Sequence, residues 1–268
     1  MPDTTPYLSI VIPAYNEERR LPGTLARIAA YLAAQPYRSE VLVVDDGSTD
    51  ATAAVAERPG VEVLRRDHRG KGFAVRAGAL AARGEVVLLC DADLAVPIEE
   101  WPKLEASLQA GADVAIGSRE GAGASREGEP WYRHMMGRVF NTIIHFVALS
   151  GIEDTQCGFK AMRRPVAQEL FRRVRIYGDD APVVRGAAVT AYDVELLFLA
   201  RKAGYRIVEV PVRWQYGTET KVNPLRDSLR NLRDVLAVRL NDLRGRYRQP
   251  EELQRELPEP KAAKDRSP

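Results

Sequence analysis

Two aspartates one residue apart, Asp91 and Asp93, follow the apolar run Val86 to Cys90 and precede Pro97. In extended chain, residues i and i+2 point to the same side, and each step spans about 3.3 Å, so both carboxylates address one object from one direction. A divalent cation meets that demand. Mg2+ or Mn2+ takes oxygen ligands, commonly one or two carboxylates, with water and substrate phosphates completing the shell. The plainer alternative is that one of the pair caps the helix expected near Pro97.

Other apolar runs also end in polar clusters. PAYNE spans 13–17, DDGSTD spans 45–50, and RGKG occupies a loop at 69–72. Gly47 suits a tight turn, and Ser48 to Asp50 suit a helix start. Neither explains two acids, Asp45 and Asp46, at the end of a hydrophobic run, where a base or ribose hydroxyl would supply donors. Tyr15 offers a stacking face for a nucleobase, and Lys71 on flexible backbone suits contact with a nucleotide.

The elements that must hold these groups are short apolar runs at 7–13, 40–45, 61–66, 85–90 and 113–118, which alternate with helical patterns at 17–35, 51–57 and 73–83 and after Pro97. Such alternation predicts parallel strands with crossover helices, a doubly wound α/β sheet that binds ligands beyond the carboxyl ends of its strands. The second half holds a Gly-rich loop at 120–129, a helical pattern at 131–149, the stretch DTQCGFKAMRR, a helix over 192–205 and a strand over 207–214. A C-terminal amphipathic helix over 224–248 follows, with Leu225, Leu229, Leu232, Leu236 and Leu240 on one side. Its arginines outnumber its aspartates. The expected division is a nucleotide-sugar-binding half at 1–120, an acceptor-binding half of the same domain at 121–215, the helix at 216–249 and a disordered tail at 250–268.

The 268 residues suffice for a large core, and a formal net charge of +2 with 28% charged residues marks neither a nucleic-acid binder nor a disordered chain. Cys90 and Cys157 lack metal-knuckle spacing, which points to a reducing compartment. No run reaches the roughly 18 to 20 apolar residues of a spanning helix. The expectation is a cytoplasmic protein, soluble or peripheral on the inner face of the cell membrane.

PAYNE, DDGS, RGKG, DAD and GSR (117–119), in this order, resemble the inverting GT-A glycosyltransferases of family 2 across about residues 7–215. DADLAVPIEEWPKL, DTQCGFK and YDVELL look like the polyprenyl-phosphate branch, above all the dolichyl-phosphate β-glucosyltransferases, which move glucose from UDP-glucose to a lipid phosphate. The resemblance implies a GT-A, Rossmann-like, mostly parallel mixed sheet with flanking helices. It implies a UDP- or GDP-hexose donor and a lipid phosphate acceptor. By the same resemblance, Pro13, Tyr15, Glu17, Asp46, Lys71 and Asp91 surround the nucleotide, Asp93 and Asp91 hold the metal, and Arg119 faces phosphate. Two departures stand out. The related mannose synthases carry a metal-binding glutamine where this chain has Ala95, and the eukaryotic glucosyl enzymes carry an N-terminal membrane helix that this sequence lacks.

A phosphate monoester with a second pKa of about 6 is largely ionised at neutral pH and needs no general base, but it needs cations. Arg119, Arg133 and Lys160 are the expected acceptor-phosphate groups, with Arg126 and His134 nearby in sequence. Asp193 is the base candidate if the acceptor is a hydroxyl, although Asp193 and Glu195 also suit a helix N-terminus. The amphipathic segments at 131–149 and 225–248 are candidates for docking on an anionic lipid surface. The rival readings are a family 2 transferase acting on a soluble acceptor and a non-catalytic sugar-nucleotide sensor.

Overall fold

The structure, a computed structural model, describes residues 5–128, 135, 149, 151–186, 191–217 and 224–248. Strand β1 (Leu8–Ala14) is buried along its whole length. It sits between β2 (Ser39–Asp46) and β4 (Val86–Leu89), parallel to both, and β2 pairs in parallel with β3 (Val61–Arg66). Strands covered on both faces need apolar residues at every position, which is why these runs read as continuous rather than alternating. Helices α1 (Leu21–Ala33), α2 (Thr52–Ala56), α3 (Lys71–Ala81) and α4 (Trp101–Gln109) connect them. β5 (Val114–Ser118) follows α4. Leu8, Ile10 and Ile12 face a core shared with α1 and α4, whereas Val11 faces the opposite core, shared with α3.

The sheet has seven strands in the order β3-β2-β1-β4-β7-β5-β8, and β7 (Lys160–Arg163) alone runs antiparallel to its neighbours. That reversal pairs Lys160 with Leu89, so the start of β7 and the loop before it lie at the carboxyl end of β4, beside the aspartates. The sequence pattern assigned this stretch no element. Four residues with a charge at each end carry no readable period. Helix α5 (Arg164–Arg173), also unassigned in the sequence, begins with Pro165 in its first turn and buries Val166, Ala167, Leu170 and Phe171.

The expected strand over 207–214 is two strands. β8 (Ile207–Pro211) joins the main sheet, while β9 (Arg213–Gln215) pairs with β6 (Ser125–Glu127) in a separate parallel ribbon. Val212 is the crossing point, donating to the Ser118 carbonyl at 3.0 Å and accepting from Ser125 at 3.2 Å. The segment at 131–149, apart from Met135 and Leu149, lies outside the described residues, as do Arg133, His134 and the tail from Pro250.

Helix α6 (Tyr192–Lys202) is almost wholly buried, and α7 (Pro224–Leu243) packs against it. From residue 230 onward the inner face of α7 is not lined by its leucines. Asn231, Asp234, Val235, Val238 and Asn241 are buried, whereas Leu236, Leu240 and Leu243 are exposed. Polar anchors decide this orientation. The Asp234 carboxylate accepts from the Tyr177 hydroxyl and from the Ala191 amide, and beyond the helix the buried Tyr247 hydroxyl donates to Glu195 at 2.6 Å. Burial raises the Glu195 carboxyl above its ordinary value despite donors from Tyr247, Arg175 and Ile176. Replacing Tyr247 with Phe strips one donor from a buried carboxylate, so unfolding in urea should show a loss of about 1–3 kcal/mol.

Candidate functional site

The chain leaves β4 with the Cys90 amide still bonded to the Val11 carbonyl, at 3.0 Å, and then turns. The Leu94 amide returns to the Asp91 carbonyl at 3.1 Å, and Asp93 Oδ1 accepts the Ala95 amide at 3.1 Å. Asp91 and Asp93 therefore sit in a turn rather than in the extended chain expected from their spacing. The turn requires Leu94 at φ 48°, in a region that disfavours side chains by roughly 1–2 kcal/mol. Burial of the Leu94 side chain in the core holds it there.

Helix α3 supplies the facing cation. Gly70, at φ 98°, ends the RGKG loop, and Lys71 opens the helix. Lys71 Nζ lies 2.6 Å from Asp91 Oδ1, with the two side chains 35% and 33% exposed. Burial works against both charges. The pair overcomes it, with Lys71 raised by Asp91, Asp193 and Asp93, and Asp91 lowered by Lys71, Lys160 and Arg119. Asp93 goes the other way, because burial and the neighbouring Asp91 charge raise its carboxyl. Gly158, in the loop before β7, backs the dyad: a Cβ there would stand 2.1 Å from Asp91 Oδ2. Gly72 is constrained in the same way, since its Cβ would stand 2.7 Å from Tyr177 and Tyr192.

The β1 and β2 loops are tied together beside this centre. Asn16, at φ 55°, accepts from the Thr49 amide at 2.8 Å, and its own amide donates to Ser48 Oγ at 2.9 Å. The Glu17 amide donates to Thr52 Oγ1, and its carboxylate pairs with Arg20 at 2.7 Å. Pro13 is buried within β1. Asp46 is buried, and its oxygens are taken by His68 Nδ1 at 2.8 Å and by the Arg69 and Gly70 amides at 2.9 Å each. It thus fixes the loop that leads into Lys71, rather than offering a free carboxylate to a base or ribose as expected. Tyr15 stacks on His68 with ring centroids 3.8 Å apart, so one face of its ring is already covered.

Of the expected acceptor cations, Arg119 and Lys160 are equally engaged. Arg119 forks onto the buried Asp154 at 2.7 and 2.8 Å, and its guanidinium lies 5.4 Å from the Trp214 ring centroid. Burial raises the Asp154 carboxyl, but Arg119 overrides it and holds the group down at about 2. Lys160 is fully buried, donating to the Cys157 carbonyl and to Asp193. This corrects two expectations. An ammonium sealed beneath the surface does not meet an incoming phosphate directly, and a carboxylate locked to it is not placed to take a proton from an alcohol. The structure thus gathers Lys71, Asp91 and Asp93 at one strand end, with Lys160 and Asp193 as their buried floor. Sequence reasoning missed Asn16, His68 and Gly158. Their signals were a lone Asn between PAY and Glu17, the His preceding RGKG, and the Gly within DTQCGFK.

Among the described residues no group of three or more His, Cys, Asp or Glu side chains is arranged to hold a metal. The dyad offers two hard carboxylates, one of them raised by the charge of the other, and a divalent cation relieves that repulsion. The donor set therefore fits Mg2+ or Mn2+ with phosphate and water in the remaining positions.

A mostly parallel sheet whose carboxyl edge gathers the Asp91–Asp93 turn, the Lys71 helix start and two polar loops is the GT-A class of nucleotide-sugar transferase fold. The family model described as "Glycosyl transferase family 2" matches residues 9–171. The chain belongs to that family and is a glycosyltransferase. It is 37% identical over 264 residues to the dolichyl-phosphate β-glucosyltransferase of Drosophila melanogaster, covering 90% of this chain and 77% of that one. To the Homo sapiens enzyme of the same name it is 34% identical over 266 residues, covering 91% and 78%. Solved structures share the fold. Mannosyl-3-phosphoglycerate synthase from Rubrobacter xylanophilus aligns with a TM-score of 0.64 at 22% identity, over 92% of this chain and 78% of that one. Glucosyl-3-phosphoglycerate synthase from Mycobacterium tuberculosis, in complex with Mn2+, UDP-glucose and phosphoglyceric acid, aligns with a TM-score of 0.62 at 20% identity, over 88% and 79%.

Two variants test the geometry. Gly158→Ala pushes Asp91 off its place, and kcat/KM should fall about 10²-fold while the circular dichroism spectrum stays native. Asp154 is held below its ordinary 3.8, so its contribution is present above that pH and is lost as pH falls towards about 2. Stability measured across pH 5 to 2 should therefore decline by about 2 kcal/mol more in the wild type than in Asp154→Asn.

Proposed function

We propose that this chain is an inverting transferase that moves glucose from UDP-glucose onto a polyprenyl or dolichyl-type lipid phosphate, with a divalent cation at Asp93 and Asp91. The placement of Asp91, Asp93 and Lys71 at one strand end carries the chemistry. The choice of sugar and acceptor rests on the likeness to the dolichyl-phosphate β-glucosyltransferases. The choice of UDP and a divalent cation draws on the fold neighbour solved in complex with UDP-glucose and Mn2+.

When bound, the cation acts as a Lewis acid on the departing diphosphate. Asp93 and Asp91 would hold it, with Asp93 the more direct ligand because Asp91 is already paired with Lys71. Lys71 sits within reach of the same diphosphate and adds a second positive charge where negative charge develops. Asp46 acts one step back, fixing residues 68–70 and hence the direction from which Lys71 enters. Tyr15 and His68, already stacked, present a flat apolar shelf beside the loop that would meet the base.

The engagement of Asp193 by Lys160 favours a phosphate acceptor over a hydroxyl. An acceptor that arrives ionised needs no protein base. Arg119 and Lys160 then serve as a fixed positive field behind the acceptor position. No helix of the described residues is long and apolar enough to cross a membrane.

The test is incubation with Mn2+ or Mg2+, a panel of UDP and GDP sugars, and either a polyprenyl phosphate or soluble acceptors such as a phosphorylated small acid. Mass spectrometry should identify a lipid-linked hexose. Asp93→Asn should lower its formation by at least about 10²-fold, the scale of lost charge stabilisation at a reacting centre. Product on soluble acceptors only would overturn the lipid reading, and no transfer from any donor would leave a sugar-nucleotide binder.

A further inference from the structure

The C-terminal leucines of α7 are turned outward. Leu236, Leu240 and Leu243 are 53%, 46% and 80% exposed, in the segment that the sequence offers as a candidate for docking on an anionic lipid surface. At 3.6 residues per turn these three side chains fall within an arc of about 60°. Arg233 flanks that arc on one side together with Arg244, and Arg239 flanks it on the other; all three are exposed. The acids of the same stretch are turned away from this face or taken. Asp234 is buried against Tyr177 and Ala191, and Asp242 pairs with Lys202 at 2.5 Å, leaving it only a longer contact of 3.8 Å with Arg239. The ridge is thus apolar along its crest and positive along both margins.

We infer that this ridge is a docking surface for an anionic lipid bilayer, with the leucines entering the interface and the arginines meeting lipid phosphates. Charge selects this occupant. In a symmetric pairing with a second copy, the same arginines would oppose one another, whereas a negatively charged leaflet satisfies both the crest and its margins. The position is useful as well. α7 hangs from Ala191, the residue next to Tyr192 and Asp193, so a membrane held by the ridge is coupled to the segment flooring the site. This gives the lipid-phosphate reading above its means of access and rests on that reading for its purpose, but it is tested separately.

Full-length protein is mixed at low salt with vesicles of phosphatidylcholine alone or with added phosphatidylglycerol, and sedimented. The expected result is binding to the anionic vesicles that weakens as salt is raised. The double variant Leu240→Gln, Leu243→Gln should bind about ten-fold more weakly, with unchanged thermal melting and unchanged transfer to a short, water-soluble polyprenyl phosphate. No sedimentation with anionic vesicles, equal binding by the double variant, or a wild-type dimer that the variant dissociates would each overturn the inference. Transfer to the short acceptor without vesicle binding sinks the docking surface alone. Leucine-dependent vesicle binding without any lipid-linked product sinks the acceptor reading alone.

Discussion

A carboxylate at the end of a buried strand must find positive charge, and the Asp91 carboxylate is the point on which the rest of this site depends. Asp91 stays ionised because Lys71 meets it at 2.6 Å and because Lys160 and Arg119 add their fields. Each of those cations is itself placed by another constraint. Lys71 is placed by the loop that Asp46 holds, Lys160 by Asp193 and the Cys157 carbonyl, and Arg119 by Asp154. The result is an alternating lattice of charge in which Asp93 faces the like charge of Asp91, and Asp93 is where a metal has most to offer.

The lattice also explains why the second half of the chain is needed for chemistry centred on the first. β7 enters the sheet backwards and so delivers the DTQCGF loop to the carboxyl ends of parallel strands. Gly158 then lets that loop close on Asp91 without a Cβ in the way. Helix α6 brings Asp193 beneath Lys160, and α7 secures the stem of α6 through Asp234 and Ala191. Because two valines and polar anchors hold α7 to the body, its C-terminal leucines are left to the outside.

Much of this was legible in the chain itself. β1 to β5 and their helices follow from apolar runs punctuated by turn residues, since strands buried on both faces tolerate little else. Lys71, Asp91 and Asp93 stood out as charged groups at the ends of such runs. The later elements were harder. β7 is only Lys160–Arg163 with a charge at each end, and β8 and β9 read as one strand because nothing in the local pattern says that Val212 crosses between sheets. Which face of α7 turns inward was not readable from the chain, for a physical reason. Buried hydrogen bonds from Tyr177, Ala191 and Tyr247, none of them local in sequence, outweigh the usual preference for burying leucine.

What the sequence determined by itself is the alphabet of the site and the class of sheet that carries it, because residue type and hydrophobic period are local properties. What only the tertiary structure decided is which charges are free to act. Lys160, Arg119, Asp193 and Asp46 all look available in the chain, and all are committed in the fold to partners 22 to 35 positions away. Burial makes an unpaired charge so unfavourable that the fold must pair it, and the choice of partner depends on strand order and direction, which no local pattern records.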